Sequence, residues 1–294
     1  MVIILKGGKS AEREVSLLTA KSITDSLSRQ NIRFNEIDAA DSGWFEKVKK
    51  LRPEIVVIAL HGTFGEDGDI QNILEKNNIP FTGSGSKSCN LAFDKIEAKG
   101  SINKQLEILV PKNFPTSSIS SFPVVIKPNQ QGSSFGVSIV RTRAELKPAL
   151  TLAKKYAGNG SVMVEEYIEG KELTCGVIDV FGEVTALPIV EITPKSDFFD
   201  FRQKYDAESG CREICPARIK AEYTQEIQQK SKQIHQLLGL KQYSRIDWIL
   251  RGDGLYFLEA NSLPGMTPTS LLPKELAAEG ISYDVFIAQL INKL

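Results

Sequence analysis

One stretch of the chain, residues 244–270, constrains the fold more than any other. Apolar side chains alternate over residues 246–250, turn chemistry follows at residues 251–254, and an apolar run then resumes. Alternation of this kind on both sides of a glycine-rich turn is typical of a β-hairpin. The sequence therefore predicts two neighbouring strands, the first with Asp247 and the second with Glu259.

Three oxygen-bearing side chains are expected to meet on this hairpin. Asp247 and Glu259 fall on neighbouring strands, and Asn261, two residues after Glu259, lies on the same face. Two carboxylates and an amide oxygen suit Mg²⁺, which keeps positions open for water and nucleotide phosphates. A solvent-exposed strand with unrelated acidic residues would show the same spacing. The apolar neighbours of Glu259 favour the cation, because a carboxylate buried among them needs a positive partner.

Composition excludes several classes of function. The 294 residues include 36 basic and 36 acidic side chains, so no basic excess indicates nucleic acid, and the 41% of hydrophobic residues can form cores for several domains. The apolar run at residues 2–5 is too short for a signal peptide, and no stretch approaches a membrane span, so we expect a cytoplasmic protein. The four irregularly spaced cysteines, with only His61 and His235, leave little material for a zinc site or a Ser-His-Asp hydrolase.

The first 82 residues or so have the pattern of a βαβ unit. We predict an apolar strand at residues 2–5, a helix at 12–27, a strand at 33–37 and a buried strand at 54–60. The last of these strands ends at a loop, residues 61–68, that contains three glycines. Loops that follow strands are where α/β sheets bind ligands.

A mixed pattern of helices and strands follows. We predict a helix at 89–109, a polar connection at 116–121, a strand at 122–128 that contains Lys127, and a Gly/Ser-rich loop at 129–137. A lysine followed by such a loop can place an ammonium and several backbone N–H groups around phosphate oxygens. Plain hairpin turns also use Gly/Ser loops, so this signal does not stand alone.

The remaining elements are predicted from their periodicity. They are helices at 146–156, 221–238 and 283–294 and strands at 161–168, 173–179 and 183–191. Acidic residues near the strand at 161–168 can accept hydrogen bonds from adenine or ribose, although an amphipathic edge strand would look the same. Residues 197–205 are aromatic and charged without periodicity, which suggests a loop that orders over a ligand.

Together these motifs resemble those of a known superfamily. The motifs are Lys95, Lys127-Pro128 with residues 132–136, residues 165–168, residues 245–247 and residues 259–267. They resemble the ATP-grasp enzymes, and the segments GGKSAEREVS (7–16) and HGTFGEDG (61–68) are similar to those of the D-alanine–D-alanine ligase family. The matching segments extend from residue 4 to residue 271.

The resemblance implies a fold class and a domain organisation. An N-terminal parallel-sheet α/β domain (residues 1–88) is expected to bind substrate. A two-lobed ATP-grasp fold of the α+β type is expected to follow, with a central lobe at residues 89–170 and a C-terminal lobe with the metal site at residues 171–294.

The resemblance also implies an activity. In this family ATP phosphorylates the carboxylate of a first D-alanine, and the amine of a second D-alanine attacks the acyl phosphate through a tetrahedral intermediate. The products are D-alanyl-D-alanine for peptidoglycan precursor synthesis, ADP and phosphate. We therefore expect ATP and two D-alanines as ligands, two Mg²⁺ or Mn²⁺ ions, a homodimer, and neither nucleic acid nor membrane as a partner.

Single residues acquire roles from the same resemblance. The expected metal ligands are Asp247, Glu259 and Asn261. Residues expected at ATP are Lys95, Lys127, Ser134, Glu165, Tyr167, Ile168 and Glu172. Residues expected at the two D-alanines and the tetrahedral oxyanion are Glu12, His61, Lys204, Arg245, Gly265, Ser270 and Leu271. A network that orients the substrates is expected from Glu12, Ser133 and Tyr205.

The sequence leaves alternatives open for the product and for the activity itself. Tyr205 favours a dipeptide product, because the related D-alanine–D-lactate ligases commonly have a histidine at this position. Gln131 stands where an acidic residue is often found, and the polar run before Phe122 is short, so loop closure or affinity could differ. The alternatives are another ATP-grasp carboxylate–amine or depsipeptide ligase and a catalytically idle nucleotide-binding sensor.

Overall fold

The computed structural model of the protein describes residues 1–193 and 211–292. Residues 194–210, which contain the whole of the predicted ligand-ordering loop (residues 197–205) with Lys204 and Tyr205, lie outside the described residues. Within the described part the strands form three separate sheets, and no helix there is long and apolar enough to cross a membrane.

The N-terminal sheet is parallel, with strand order β2-β1-β3. Its strands are β1 (Val2–Lys6), β2 (Phe34–Asp38) and β3 (Ile55–Ile58), and its helices are α1 (Arg13–Arg29), α2 (Trp44–Leu51) and α3 (Asp69–Lys76). The parallel sheet confirms the βαβ prediction, whereas α2 and α3 are additional helices of eight residues each. Because β1 and β3 are parallel neighbours, the loops after them lie at the same edge of the sheet.

The single helix predicted at 89–109 is in fact two helices. They are α4 (Ser86–Phe93) and α5 (Lys95–Leu106), and Asp94 between them is extended. The carboxylate of Asp94 accepts a hydrogen bond from the backbone N–H of Glu97 at 3.0 Å, which caps α5 at its N-terminus. Lys95 is therefore the first residue of a new helix, and Lys99 lies one turn further along it.

A small antiparallel sheet, with strand order β5-β4-β6, forms the middle of the chain. Its strands are β4 (Val124–Pro128), β5 (Ser138–Val140) and β6 (Val162–Glu166), and it is accompanied by a 3₁₀ turn (Arg143–Glu145) and by α6 (Leu146–Ala157). Ile119 is buried in the core of this sheet, so the polar connection predicted at 116–121 is anchored there.

The largest sheet has the order β10-β9-β7-β11-β12, with β8 paired to β7. Its strands are β7 (Lys171–Ile178), β8 (Thr185–Ala186), β9 (Val190–Thr193), β10 (Arg212–Ile214), β11 (Tyr243–Arg251) and β12 (Gly254–Asn261). The strand predicted at 183–191 is divided into β8 and β9 around Pro188, which cannot donate a ladder hydrogen bond. The predicted hairpin is present as β11 and β12, with Asp247 directly opposite Glu259.

Helix α7 (Ala221–Leu237) covers this sheet and provides a hydrogen-bond partner for a fully buried aromatic residue. Trp248 on β11 is fully buried, and its ring N–H donates a hydrogen bond to Ser231 Oγ on α7 at 3.0 Å. A buried indole needs such an acceptor, because an unpaired N–H in the core would be costly. The face of the hairpin that carries Trp248 is thereby held against α7.

The last two helices, α8 (Leu271–Ala278) and α9 (Tyr283–Asn292), connect the two ends of the chain. Phe286 and Leu290 of α9 share a hydrophobic core with β1 and β3, and Asp284 forms a salt bridge with Arg29 of α1. The first and the last predicted domains therefore have a common core. The domain boundaries themselves stay a prediction.

Two glycine substitutions should change stability in opposite directions. An added Cβ at Gly176 on β7 would lie 2.6 Å from Glu275 Oε2 and 2.7 Å from Leu272 Cδ1, whereas at Gly100 on α5 it would meet nothing within 4 Å. G176A should lower the free energy of unfolding by about 1–3 kcal/mol through overpacking. G100A should raise it by about 0.5–1 kcal/mol through helix propensity. Urea unfolding of both variants measures this, and equal stabilities would contradict the packing at Gly176.

Candidate active site

Two cavities meet at the hairpin. The larger, about 460 Å³, lies between the small sheet and the large sheet. The smaller, about 80 Å³, is lined by loops of the N-terminal sheet, by the hairpin and by the segment that leads into α8. Asp247 and Glu259 line both cavities, so the predicted metal pair stands where the cavities join.

The predicted ATP residues all line the larger cavity. They are Lys95, Lys127, Ser134, Glu165, Tyr167, Ile168 and Glu172. These residues come from one helix, three strands and the loops beside them, and only the packing of the two sheets against each other brings them together. The site has the mixture of apolar walls and a few charged groups that is typical of small-molecule cavities.

The smaller cavity contains the described residues that were predicted for the amino-acid substrates and the metal. They are Glu12, His61, Ser133, Arg245, Asp247, Glu259, Asn261, Gly265, Ser270 and Leu271. Lys204 and Tyr205, the other two residues predicted there, lie outside the described residues. The role of each residue stays a prediction.

The carboxylate of Asp247 has cationic and polar partners on several sides. Arg245 donates to its two oxygens from Nε and Nη2, each at 2.9 Å, Asn261 Nδ2 donates at 3.0 Å, and Thr174 Oγ donates at 2.6 Å. Burial acts to lower the pKa of Arg245, but Asp247 outweighs it and raises the pKa well above its ordinary value. Across the hairpin, Glu259 Oε2 lies 3.4 Å from Lys95 Nζ.

Two buried lysines, Lys95 and Lys127, line the larger cavity, and a third lysine lies close to them. Lys95 donates to the carbonyl of Gln131 at 2.8 Å, and Lys127 Nζ lies 2.7 Å from Glu165 Oε2. Lys99, which the sequence reasoning missed, donates to Glu165 Oε1. Its signal in the sequence is its position four residues after Lys95, on the same face of a helix. In this structure the Glu165 carboxylate therefore binds two ammonium groups, and its predicted contact with adenine stays a prediction.

The Gly/Ser loop after β4 reaches across to α1. Ser133 donates a hydrogen bond to Glu12 Oε2, which is the described part of the predicted Glu12–Ser133–Tyr205 network. An added Cβ at Gly132 would lie 2.7 Å from Glu12 Oε1, so the loop can approach the carboxylate this closely only with a glycine. Ser133 and Ser134 both have positive φ, at 49° and 58°, which is uncommon for residues with a side chain.

His61 follows β3 and lies under the smaller cavity. Its Nε2 is 2.9 Å from Thr19 Oγ, and its Nδ1 is 3.2 Å from Glu66 Oε1. Burial acts to lower the pKa of His61, but the hydrogen bond and the charge of Glu66 outweigh burial and raise the pKa above its ordinary value. Because both ring nitrogens have protein partners, His61 would act on a substrate through its charge. Glu66 is a second residue that the sequence reasoning missed.

The segment before α8 brings Gly265 and Ser270 together. Ser270 Oγ accepts a hydrogen bond from the backbone N–H of Thr267 at 3.1 Å, and an added Cβ at Gly265 would lie 2.8 Å from the same oxygen. Ser270 is the residue before the first turn of α8, which begins at Leu271. The backbone N–H groups of that turn have no carbonyl partners within the helix and are suited to bind a carboxylate.

The fold and the two cavities define a protein of the ATP-grasp class. A nucleotide-sized cavity lies between two antiparallel sheets, with lysines along its wall and two carboxylates where it joins the second cavity. Family models described as the N-terminus and the C-terminus of D-ala D-ala ligase match residues 37–84 and 95–292. The chain belongs to the D-alanine–D-alanine ligase family.

Individual relatives cover nearly the whole chain. The D-alanine–D-alanine ligase of Halalkalibacterium halodurans is 38% identical, over 99% of this chain and 98% of its own length. The crystal structure of a D-alanine–D-alanine ligase from Bacillus anthracis complexed with ATP is 31% identical, with a TM-score of 0.82 over 99% of this chain and 95% of that one. The VanG D-Ala:D-Ser ligase of Enterococcus faecalis is 29% identical, with a TM-score of 0.80 over 99% and 98%.

Glu275 on α8 should make stability depend on pH. It is fully buried, and burial raises its pKa to about 8. The unfolded chain releases this proton near the ordinary glutamate pKa, whereas the folded chain keeps it up to about pH 8, so this group destabilises the fold progressively as pH rises between those values. E275Q should therefore gain thermal stability relative to wild type between pH 5.5 and pH 8.5.

Thermal unfolding at several pH values measures the effect, with E279Q at the exposed end of the same helix as the matched control. The difference in Tm between E275Q and wild type should increase steadily with pH, and that between E279Q and wild type should not. A constant difference for E275Q would show that Glu275 ionises normally in the folded protein.

Proposed function

We propose that this protein joins two D-alanines at the expense of ATP, with D-alanyl-D-alanine, ADP and phosphate as products. The observation that carries the proposal is the position of Asp247 and Glu259, which line both the larger and the smaller cavity. A nucleotide in the larger cavity would direct its terminal phosphate toward these residues. Two small amino acids would occupy the other side. The product is a precursor for peptidoglycan synthesis.

In the first step the carboxylate of one D-alanine attacks the terminal phosphorus of ATP, and ADP leaves. Phosphoryl transfer depends on positioning and on neutralisation of the phosphate charge rather than on covalent chemistry by the protein. Lys95 and Lys127, which line the larger cavity, supply two positive charges for that purpose. Glu12, which is buried and lines the smaller cavity, would bind the ammonium of this D-alanine. The charge of His61 would attract the carboxylate of the same D-alanine.

Asp247, Glu259 and Asn261 would hold Mg²⁺ or Mn²⁺, for which we propose two ions. The fit rests on the donor set, because two carboxylates and an amide are the oxygen ligands that hard cations prefer. Asp247 already binds the guanidinium of Arg245 here, so this place in the fold accepts positive charge. When bound, the cations would neutralise the phosphate oxygens of the nucleotide.

In the second step the amine of the other D-alanine attacks the carbonyl carbon of the acyl phosphate. The resulting oxyanion would accept hydrogen bonds from Arg245 and from the backbone N–H of Gly265. Collapse of the tetrahedral intermediate breaks the bond to the phosphate oxygen and forms the amide. Ser270 and the backbone of Leu271, with Lys204, would bind the carboxylate of this second D-alanine, and Tyr205 would complete the network of Glu12 and Ser133.

The same proposal includes the setting of the reaction. We place the enzyme in the cytoplasm as a homodimer, with domains at residues 1–88, 89–170 and 171–294, in keeping with the family resemblance.

Product analysis tests the function directly. Purified protein with MgATP is offered D-alanine, D-serine, D-lactate and L-alanine in separate and mixed reactions, and phosphate and ligated products are quantified. We expect phosphate release with D-alanine and D-alanyl-D-alanine as the main product. Ester formed with D-lactate at neutral pH would instead indicate a depsipeptide ligase, and D-alanyl-D-serine a specificity like that of the E. faecalis relative. Nucleotide binding without turnover would indicate a sensor.

Removing the charge of Glu259 should stop turnover without loss of the fold. E259Q should lower kcat by roughly 100-fold or more, because charge stabilisation at the reacting phosphate is lost. The matched control is E183Q, an exposed glutamate in a turn of the large sheet, which should retain wild-type rates. Steady-state kinetics measures kcat of both variants, and thermal unfolding checks that both are folded. Wild-type turnover by E259Q would contradict the metal assignment.

A further inference from the structure

One member of a buried cluster of charges, Lys99, has no part in the reaction as described above. Lys99 on α5 and Lys127 on β4 bind the two oxygens of the same carboxylate, that of Glu165 on β6. All three residues are at most 9% exposed. Lys127 and Glu165 line the larger cavity, whereas Lys99 is not among its lining residues. Lys99 therefore approaches Glu165 from behind, on the side away from the cavity.

The geometry of the elements explains this arrangement. Val125 pairs with Glu165 across β4 and β6, and Lys127, two residues after Val125, lies on the same face as both. Lys127 thus reaches Glu165 along the surface of the sheet. Lys99 arrives from α5, where Lys95 lies one turn earlier and extends to the carbonyl of Gln131. Two ammonium groups from different elements therefore share one carboxylate.

The shared carboxylate has an electrostatic consequence for ATP binding. A buried charge that loses its only partner strongly destabilises its surroundings. If Lys127 were the single partner of Glu165, turning Lys127 toward a phosphate would leave the carboxylate uncompensated. With Lys99 in place, Glu165 stays neutralised when Lys127 turns away. The third ammonium also adds positive potential around a highly charged anion.

The protonation of Lys99 responds to the same movement. Burial, followed by the repulsion of Lys127, lowers the pKa of Lys99 to about 7, while Glu165 and Glu259 act to raise it. Lys95 on the same helix adds a further positive charge nearby. Departure of Lys127 from Glu165 removes part of the repulsion, and Lys99 then holds its proton more firmly.

We propose that Lys99 is a positioning residue for ATP binding, which holds and neutralises Glu165 so that Lys127 is available to the nucleotide phosphates. The proposal rests on the proposed function only in that it takes the larger cavity as the ATP site. It assigns no contact between Lys99 and the nucleotide.

Binding of a non-hydrolysable MgATP analogue, measured by calorimetry without amino acids, tests the proposal. K99M should weaken binding by about tenfold or more, which is about 1.4 kcal/mol. K99R retains the charge and should bind within about threefold of wild type. K104M, an exposed lysine on the same helix, is the matched control and should bind as wild type does. Unchanged binding by K99M would overturn the proposal.

A double-mutant cycle with E165Q shows whether Lys99 acts through Glu165. In that background the Glu165 carboxylate no longer competes for Lys127, so adding K99M should weaken binding by less than about threefold. An equal loss in both backgrounds would overturn the proposal, because Lys99 would then act independently of Glu165. K99Q, which keeps a polar group beside Glu165, serves in the same cycle if K99M does not fold.

Kinetics and pH separate positioning from a general structural effect. In K99M the KM for ATP should rise about tenfold, while kcat at saturating ATP changes by less than about threefold. Binding by wild type should weaken relative to K99R as pH rises above about 7, and this comparison cancels the titration of the nucleotide itself. Equal losses in every kinetic constant, or parallel pH profiles, would overturn the proposal. Binding needs no turnover, so absence of ligation would refute the proposed function alone.

Discussion

The structure depends on the register of a single hairpin. Pairing of Asp247 with Glu259 places two carboxylates on one face, and pairing of Arg245 with Asn261 places a guanidinium and an amide beside them. A shift of one residue would turn every one of these side chains to the opposite face of the sheet. Trp248 protects the register, because it is fully buried against α7 and cannot exchange places with a charged neighbour.

Charge compensation around this hairpin is the second organising feature. Several ions near the junction of the cavities are paired with opposite charges: Arg245 with Asp247, Lys95 with Glu259, and two lysines with Glu165. Removal of one partner would leave an uncompensated charge, which would be strongly unfavourable. The same pairs place ammonium and guanidinium groups at the cavity walls. There the phosphates of a nucleotide can replace a carboxylate as the partner of one of these groups.

Loops supply several residues of the smaller cavity that do not lie on the hairpin. The loop after β4 crosses to α1, and its glycine permits the close approach to Glu12 that a larger residue would block. The loop after β3 places His61 at the smaller cavity. The C-terminal helices pack on the N-terminal core, so that residues from both ends of the chain surround the smaller cavity. A site for two small substrates thus arises between elements that are far apart in sequence.

Local patterns alone determined the hairpin, the parallel N-terminal strands and the lysine before the Gly/Ser loop, because alternation and turn chemistry act over a few residues. Motif resemblance added the family and the members of the site. Tertiary structure decided that one predicted helix divides at Asp94, that Lys99 is buried, that Glu66 lies 3.2 Å from His61, and that Glu275 is fully buried. It also decided that α9 belongs to the N-terminal core. Those outcomes depend on contacts between distant segments and on the desolvation of charges, which no local pattern records.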